Sequence, residues 1–174
     1  MKTIFKYILL GLLFGSVPAY AEITVPKGII KLDGSKSPPL VLKNMDGEEY
    51  NIENSKGKWV FVHFWAAWCG PCRREMPTVQ KMHEMAMDIP IDIVLINTAE
   101  DEDTIFSFLS VVAPNMNTLM DRDGLVTERW QPRGLPATFL VSPQGTLEYI
   151  ALGGRTWDQP EYFNFITQLS KQKR

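Results

Sequence analysis

Of the 174 residues only two are cysteine, Cys69 and Cys72, and only two are histidine, His63 and His83. Two thiols and two imidazoles are too few for a metal carrier, which needs further Cys or His ligands, so no metal is expected. The chain also lacks a basic stripe. Its 18 Lys and Arg stand against 20 Asp and Glu, a formal charge of −2, which argues against nucleic acid as a partner. No cysteine follows the first apolar stretch, so a bacterial lipid anchor has no attachment point.

Residues Met1 to Ala21 read as an export signal. Lys2 and Lys6 form its positive end, Tyr7 to Phe14 its apolar stretch and Ala19-Tyr20-Ala21 a small-x-small cleavage site. Ile4 to Val17 is shorter than the about 20 apolar residues a bilayer span requires. Cleavage after Ala21 is therefore expected, with an uncleaved membrane anchor as the other reading. Without Lys2 and Lys6 the mature chain has 16 basic and 20 acidic residues, a formal charge of −4. In an exported protein, two cysteines offer no disulfide framework, so their use is expected to be catalytic rather than architectural.

What is present is concentrated at Val60-Phe61-Val62-His63-Phe64-Trp65-Ala66-Ala67-Trp68-Cys69-Gly70-Pro71-Cys72, an apolar run ending in Cys-x-x-Cys. A strand behind two thiols and a helix starting at them make a reversible dithiol/disulfide pair. The unpaired N–H groups and dipole of the helix start favour the thiolate of Cys69, the form that attacks a disulfide. Cys72, one turn in, is placed to attack the mixed disulfide that Cys69 makes. Pro71 suits the first helical turn, Gly70 leaves room for an approaching chain, and Pro77 falls inside the helical pattern and should kink it.

Around this centre the pattern predicts extended chain over Glu22 to Asp33 and a hairpin of Leu40 to Lys43 with Glu48 to Ile52 around Asp46-Gly47. Strands are predicted at Trp59 to Ala66, Ile91 to Thr98, Asn117 to Met120, Thr138 to Ser142 and Thr146 to Leu152. Helices are predicted at about Cys69 to Met87, from the acidic run Ala99 to Asp103 on to Val112, at Gly124 to Trp130 and at Pro160 to Lys171. Met76, Val79, Met82, Met85 and Ala86 are expected to fill the core from the first of these helices. Strands and helices alternate early and a hairpin comes late, an α/β domain with a mixed central sheet flanked by helices.

Trp68-Cys69-Gly70-Pro71-Cys72, with Pro77 following, resembles the thioredoxin active site. Gly134-Leu135-Pro136-Ala137-Thr138-Phe139-Leu140-Val141 resembles the segment in which a cis-proline precedes a central strand and faces the cysteines. The signal, the N-terminal extended region, an added segment between Thr98 and Leu119, and Trp-Cys-x-Pro-Cys-x-x-Glu-x-Pro from Trp68 to Pro77 are similar to the exported TlpA and ResA-like branch, related to the AhpC/TSA redoxins. The resemblance implies a thioredoxin-like fold with an N-terminal hairpin and a central insertion. It divides the chain into a signal peptide (1–21), an extended segment (22–35) and a thioredoxin-like domain (36–174).

It also implies roles. Cys69 and Cys72 are the catalytic redox disulfide, and Glu75, three residues on, assists proton transfer. Pro136 belongs to the active site, and Trp68, Gly70, Pro71 and Leu135 meet the substrate, with the loop at Leu135 offering an edge for an extended segment. For Glu75 the bland reading is a solvated first-turn acid paired with Arg73 or Arg74. His63 occupies the strand position at which cytosolic thioredoxins carry a buried aspartate. It is either an acid or base near pH 7 or a buried imidazole satisfied by backbone or water.

The reaction expected is reduction of protein disulfides, because Gly70-Pro71 offers no cation to stabilise the reduced form as a strong oxidant requires. A disulfide-forming oxidase or isomerase helper is the alternative. A peroxidase would carry Thr and Pro before a lone cysteine, whereas Trp68 precedes Cys69. The resemblance implies disulfide-containing exported proteins as substrates, apocytochrome c among them. It also implies a membrane thiol-electron donor of the DsbD or CcdA kind. No cofactor is expected, since the cysteines carry the two electrons themselves.

Overall fold

The computed structural model describes residues 23–172, so the expected signal peptide lies outside the described residues. Trp59–Trp65 (β4) forms the spine of a six-stranded sheet. With Ile29–Lys31 (β1), Ile91–Thr98 (β5), Leu119–Asp121 (β6), Ala137–Val141 (β7) and Leu147–Leu152 (β8), the order is β1-β8-β7-β4-β5-β6. β4 runs parallel to β5 and antiparallel to β7. Every residue of β4 is buried, as a strand covered on both faces demands. The extended N-terminal segment supplies β1, which closes the sheet edge against β8, with Ile30 opposite Ile150. The predicted hairpin is a separate two-stranded sheet, Val41–Lys43 (β2) with Glu49–Asn51 (β3). Its turn is held by Asn44 Oδ1, which accepts from the amides of Asp46 and Glu48.

The two faces of the sheet bury different elements. Trp59, Phe61 and Trp65 point to the side covered by Gly70–Met85 (α1), Glu102–Val112 (α2) and Pro160–Ser170 (α4), where Met76, Val79, Met82, Phe108, Phe165 and Leu169 pack. Val60, Val62 and Phe64 point to the other side, against Leu40, Ile52 and the short helix Leu125–Trp130 (α3). Burying each of Met76, Val79 and Met82 is worth about 2 kcal/mol and fixes which side of α1 faces the sheet. Met85, expected in the core, is 43% exposed. Helical residues advance about 100° each, so three steps of three turn its side chain to the opposite side from Met76.

Asp101 caps α2 by accepting from Thr104 N at 2.7 Å, with Glu102 and Asp103 in the first turn. α1 runs unbroken through Pro77.

Candidate active site

β4 ends at Trp65, and three residues carry the chain to Cys69, the N-cap of α1. That short loop is held from both sides. Ala67 N donates to Glu100 Oε2 at 2.7 Å, and Asn97 Nδ2 donates to the same oxygen at 2.7 Å. Arg73 donates to Ala67 O at 3.1 Å, while its guanidinium lies 4.9 Å from the ring centre of Phe108 on α2. Trp65 is fully buried and gives its indole N–H to Thr118 Oγ1 at 3.0 Å, a packing residue as its strand position suggests. Trp68 stands out, 70% exposed beside the cysteines.

Cys69 and Cys72 form a disulfide with their Cα atoms 5.2 Å apart. Cys69 is nearly covered and Cys72 completely so. The amide of Cys72 donates to Cys69 Sγ at 3.2 Å, so an unpaired N–H of the helix start already points at the first sulfur. Pro71 is exposed. A Cβ added to Gly70 would meet only the tip of Arg74, at 3.7 Å, so the approach beside the disulfide is open there.

The peptide bond between Leu135 and Pro136 is cis. Because Phe64 pairs with Ala137, Pro136 sits beside the point where β4 leaves for the cysteines, which joins the two distant motifs. Pro136 is buried and its carbonyl accepts from Gly153 N at 2.9 Å. Half-buried Leu135 is the reachable part of that loop.

Glu75 departs from the solvated reading. It is 3% exposed and pairs with neither Arg73 nor Arg74. Its Oε1 accepts from the backbone N of Arg155, at 3.1 Å, and from the indole N–H of Trp157. Oε2 is buried without a hydrogen-bond partner. Burial pushes the carboxyl up to about 7, against the pull of the two donors and the Arg155 charge. It therefore gains or loses a proton at neutral pH.

His63 is completely buried. Its Nδ1 lies 2.9 Å from Thr138 Oγ1, and Nε2 has no partner. Burial lowers it to about 3, so the imidazole is neutral near pH 7. It is a buried histidine paired with a hydroxyl at one ring nitrogen only, and its affinity for a proton is wrong for exchange near pH 7.

Trp157, Arg155 and Gly154 escaped the sequence reading. All belong to Gly153-Gly154-Arg155-Thr156-Trp157 between β8 and α4, which lies against the first turns of α1. A Cβ on Gly154 would sit 3.6 Å from Pro71 O and 3.7 Å from Glu75 Oε2. The Arg155 guanidinium moors this segment, donating to Gly154 O and Gly28 O at 2.8 Å each and to Leu152 O at 3.1 Å. The available signal was a paired glycine followed by a tryptophan just after a sheet strand. Among the described residues no cluster of His, Cys, Asp and Glu could hold a metal, and no helix is long and apolar enough to cross a membrane.

The profile of the AhpC/TSA family matches residues 34–150. The thiol-disulfide oxidoreductase ResA of Bacillus subtilis is 30% identical over 135 residues, covering 77% of this chain and 75% of its own length. ResA of Geobacillus thermodenitrificans is 29% identical over 90% of this chain and 88% of its own. Among solved structures, a Chlorobium tepidum chain assigned to the thiol:disulfide interchange protein DsbE superposes with a TM-score of 0.70. It is 25% identical, over 79% of this chain and 96% of that one. StoA of Bacillus subtilis, at 23% identity and a TM-score of 0.64 over 73% of this chain and 96% of its own, shares the fold.

Proposed function

The chain belongs to the AhpC/TSA family and is a ResA-like thiol-disulfide oxidoreductase of thioredoxin-like fold, and from that premise we propose that it works as a reductant of disulfides in exported proteins. The observation that carries the mechanism is a buried carboxyl that titrates near neutrality on α1, three residues after the second sulfur of the Cys69–Cys72 pair. In the reduced enzyme the Cys69 thiolate attacks one sulfur of the substrate disulfide. A mixed disulfide forms, and the other substrate sulfur leaves as a thiolate and takes a proton. Cys72 then gives its proton to the Glu75 carboxylate and attacks Cys69 Sγ. The substrate's second thiol is released, and two electrons have passed from enzyme to substrate.

Exposed Trp68, with Gly70 and Pro71, forms the docking face. The loop at Leu135 and Pro136 aligns an extended substrate segment beside the sulfurs. The N-terminal export signal supports a periplasmic location, cleaved after Ala21. The resemblance to the ResA branch supports apocytochrome c as a substrate and a membrane thiol-electron donor of the DsbD or CcdA kind.

The test is the reduction potential of the Cys69/Cys72 couple, equilibrated against thiol buffers. Near or below about −250 mV the pair is a reductant, and near about −120 mV it is an oxidant and the proposed direction is wrong. Cys69→Ser is expected to abolish protein-disulfide reduction, and Cys72→Ser to accumulate mixed disulfides that name the physiological partners. Full insulin reduction by Cys69→Ser would sink the mechanism.

A further inference from the structure

Two donors meet on one oxygen of Glu75 and none on the other. Oε1 takes the amide of Arg155 and the indole N–H of Trp157, while Oε2 is buried and unpaired. A carboxyl oxygen that already accepts two hydrogen bonds cannot take a proton without losing one of them. The unpaired oxygen can.

We propose that Trp157 is a positioning residue for the proton step, holding Glu75 through Oε1 so that the proton exchanged with Cys72 sits on Oε2. This rests on the reading of Glu75 as the proton acceptor. Trp157 is suited to the task because it is packed in: it is fully buried, edge-on to Phe61 at 4.8 Å and against Tyr162 at 5.5 Å. Its own amide donates to Thr78 Oγ1, at 3.2 Å, one turn along α1 from Glu75. The segment therefore grips α1 at two successive levels. As a neutral donor the indole favours the carboxylate over the acid without adding a charge beside the sulfurs. The charged and titratable groups around it are few. Arg155 lies on the same segment, Lys81 of α1 is paired with Asp158 at 3.0 Å, Cys72 lies one turn back on α1, His63 of β4 lies beyond Phe61, and Tyr162 of α4 meets the indole with a phenol that burial raises further above neutrality.

The experiment is the pH profile of kcat/KM for insulin disulfide reduction by the full mature protein, in wild type, Trp157→Phe, Glu75→Gln and the double variant. Phenylalanine keeps a ring against Phe61 and Tyr162 and removes the donor. The inflection near pH 7 is expected to move up by about one unit in Trp157→Phe, because the carboxylate loses a stabilising hydrogen bond. It should vanish in Glu75→Gln and equally in the double variant. A purely structural tryptophan would lower the melting temperature and leave the inflection in place. That outcome, with Glu75→Gln still abolishing the inflection, overturns the role of Trp157 alone. Persistence of the inflection in Glu75→Gln overturns the reading of Glu75 and this inference with it. Should Trp157→Phe not fold, benzothienylalanine at 157 replaces the indole N–H by sulfur in the same shape, and the same shift is expected. An unchanged inflection in that variant is equally fatal to the proposal.

Discussion

Two buried titratable groups lie on the cysteine side of the sheet, and Phe61 stands between them, stacked on His63 at 6.0 Å and edge-on to Trp157, the partner of Glu75, at 4.8 Å. Burial acts on both against the charged form, and because one is an acid and the other a base it moves them apart. Glu75 rises to about 7, into the range where a proton can be exchanged, and His63 falls to about 3, out of it. The difference in surroundings adds to this. Glu75 has two N–H donors that keep its carboxylate accessible, whereas His63 has one hydroxyl and an unpaired Nε2. Thus the residue whose solution chemistry looks suited to neutral pH stays neutral there, and the one that looks permanently ionised is the one that titrates.

The largest effect should separate the two. Glu75→Gln keeps the shape and the contact with Trp157 but cannot take the Cys72 proton. It should lower kcat for insulin reduction at pH 7 about 100-fold, the usual scale of a lost proton acceptor. His63→Asn, by contrast, should leave kcat within about threefold, since a neutral group gives way to a neutral group. A comparable loss in both variants would break the contrast and return His63 to the proton path.

A smaller effect tests the His63 side on its own. Thr138→Val removes the only hydrogen bond shown for the imidazole at nearly constant volume, leaving both ring nitrogens buried and unpaired. Such orphaning costs about 1–3 kcal/mol, so the urea midpoint at pH 7 should fall while kcat holds. An unchanged midpoint would mean that water replaces the hydroxyl, and that His63 is less isolated than its burial implies.

Much of this arrangement was legible in the sequence because it is local. The apolar run into Cys69, the helix start at Pro71 and the acids at Asp101 to Asp103 each carry their cause within a few residues, and the structure realises all three. The cis bond at Pro136 has no local cause in composition, and only the resemblance of Gly134 to Val141 implied it. The state of Glu75 was not legible. A glutamate in a first helical turn is ordinarily solvated, and what buries this one arrives 80 residues later, at Arg155 and Trp157. His63 presented the same difficulty, because its partner Thr138 belongs to a strand whose pairing with β4 no periodicity encodes.

The effect that is smallest per pH unit is the most discriminating, because the two groups pull the pH dependence of stability in opposite directions. Glu75 has a folded value, about 7, above its unfolded one near 4.5, so the stability it contributes is complete below pH 4.5 and lost as pH rises to 7. His63 has a folded value, about 3, below its unfolded one near 6.5, so its contribution is complete above pH 6.5 and lost as pH falls towards 3. Between about pH 4.5 and 6.5 unfolding would release one proton at Glu75 and take up one at His63, and the slopes cancel. The exposed acids Asp33, Glu53 and Asp101 have lowered values and act below that window. Urea unfolding of the oxidised wild type should therefore be flat across it. Glu75→Gln should lose up to about 1.4 kcal/mol per pH unit as the pH falls through the window, and His63→Asn should gain a similar amount. Parallel slopes in the two variants would show that one of these groups does not titrate as its surroundings dictate.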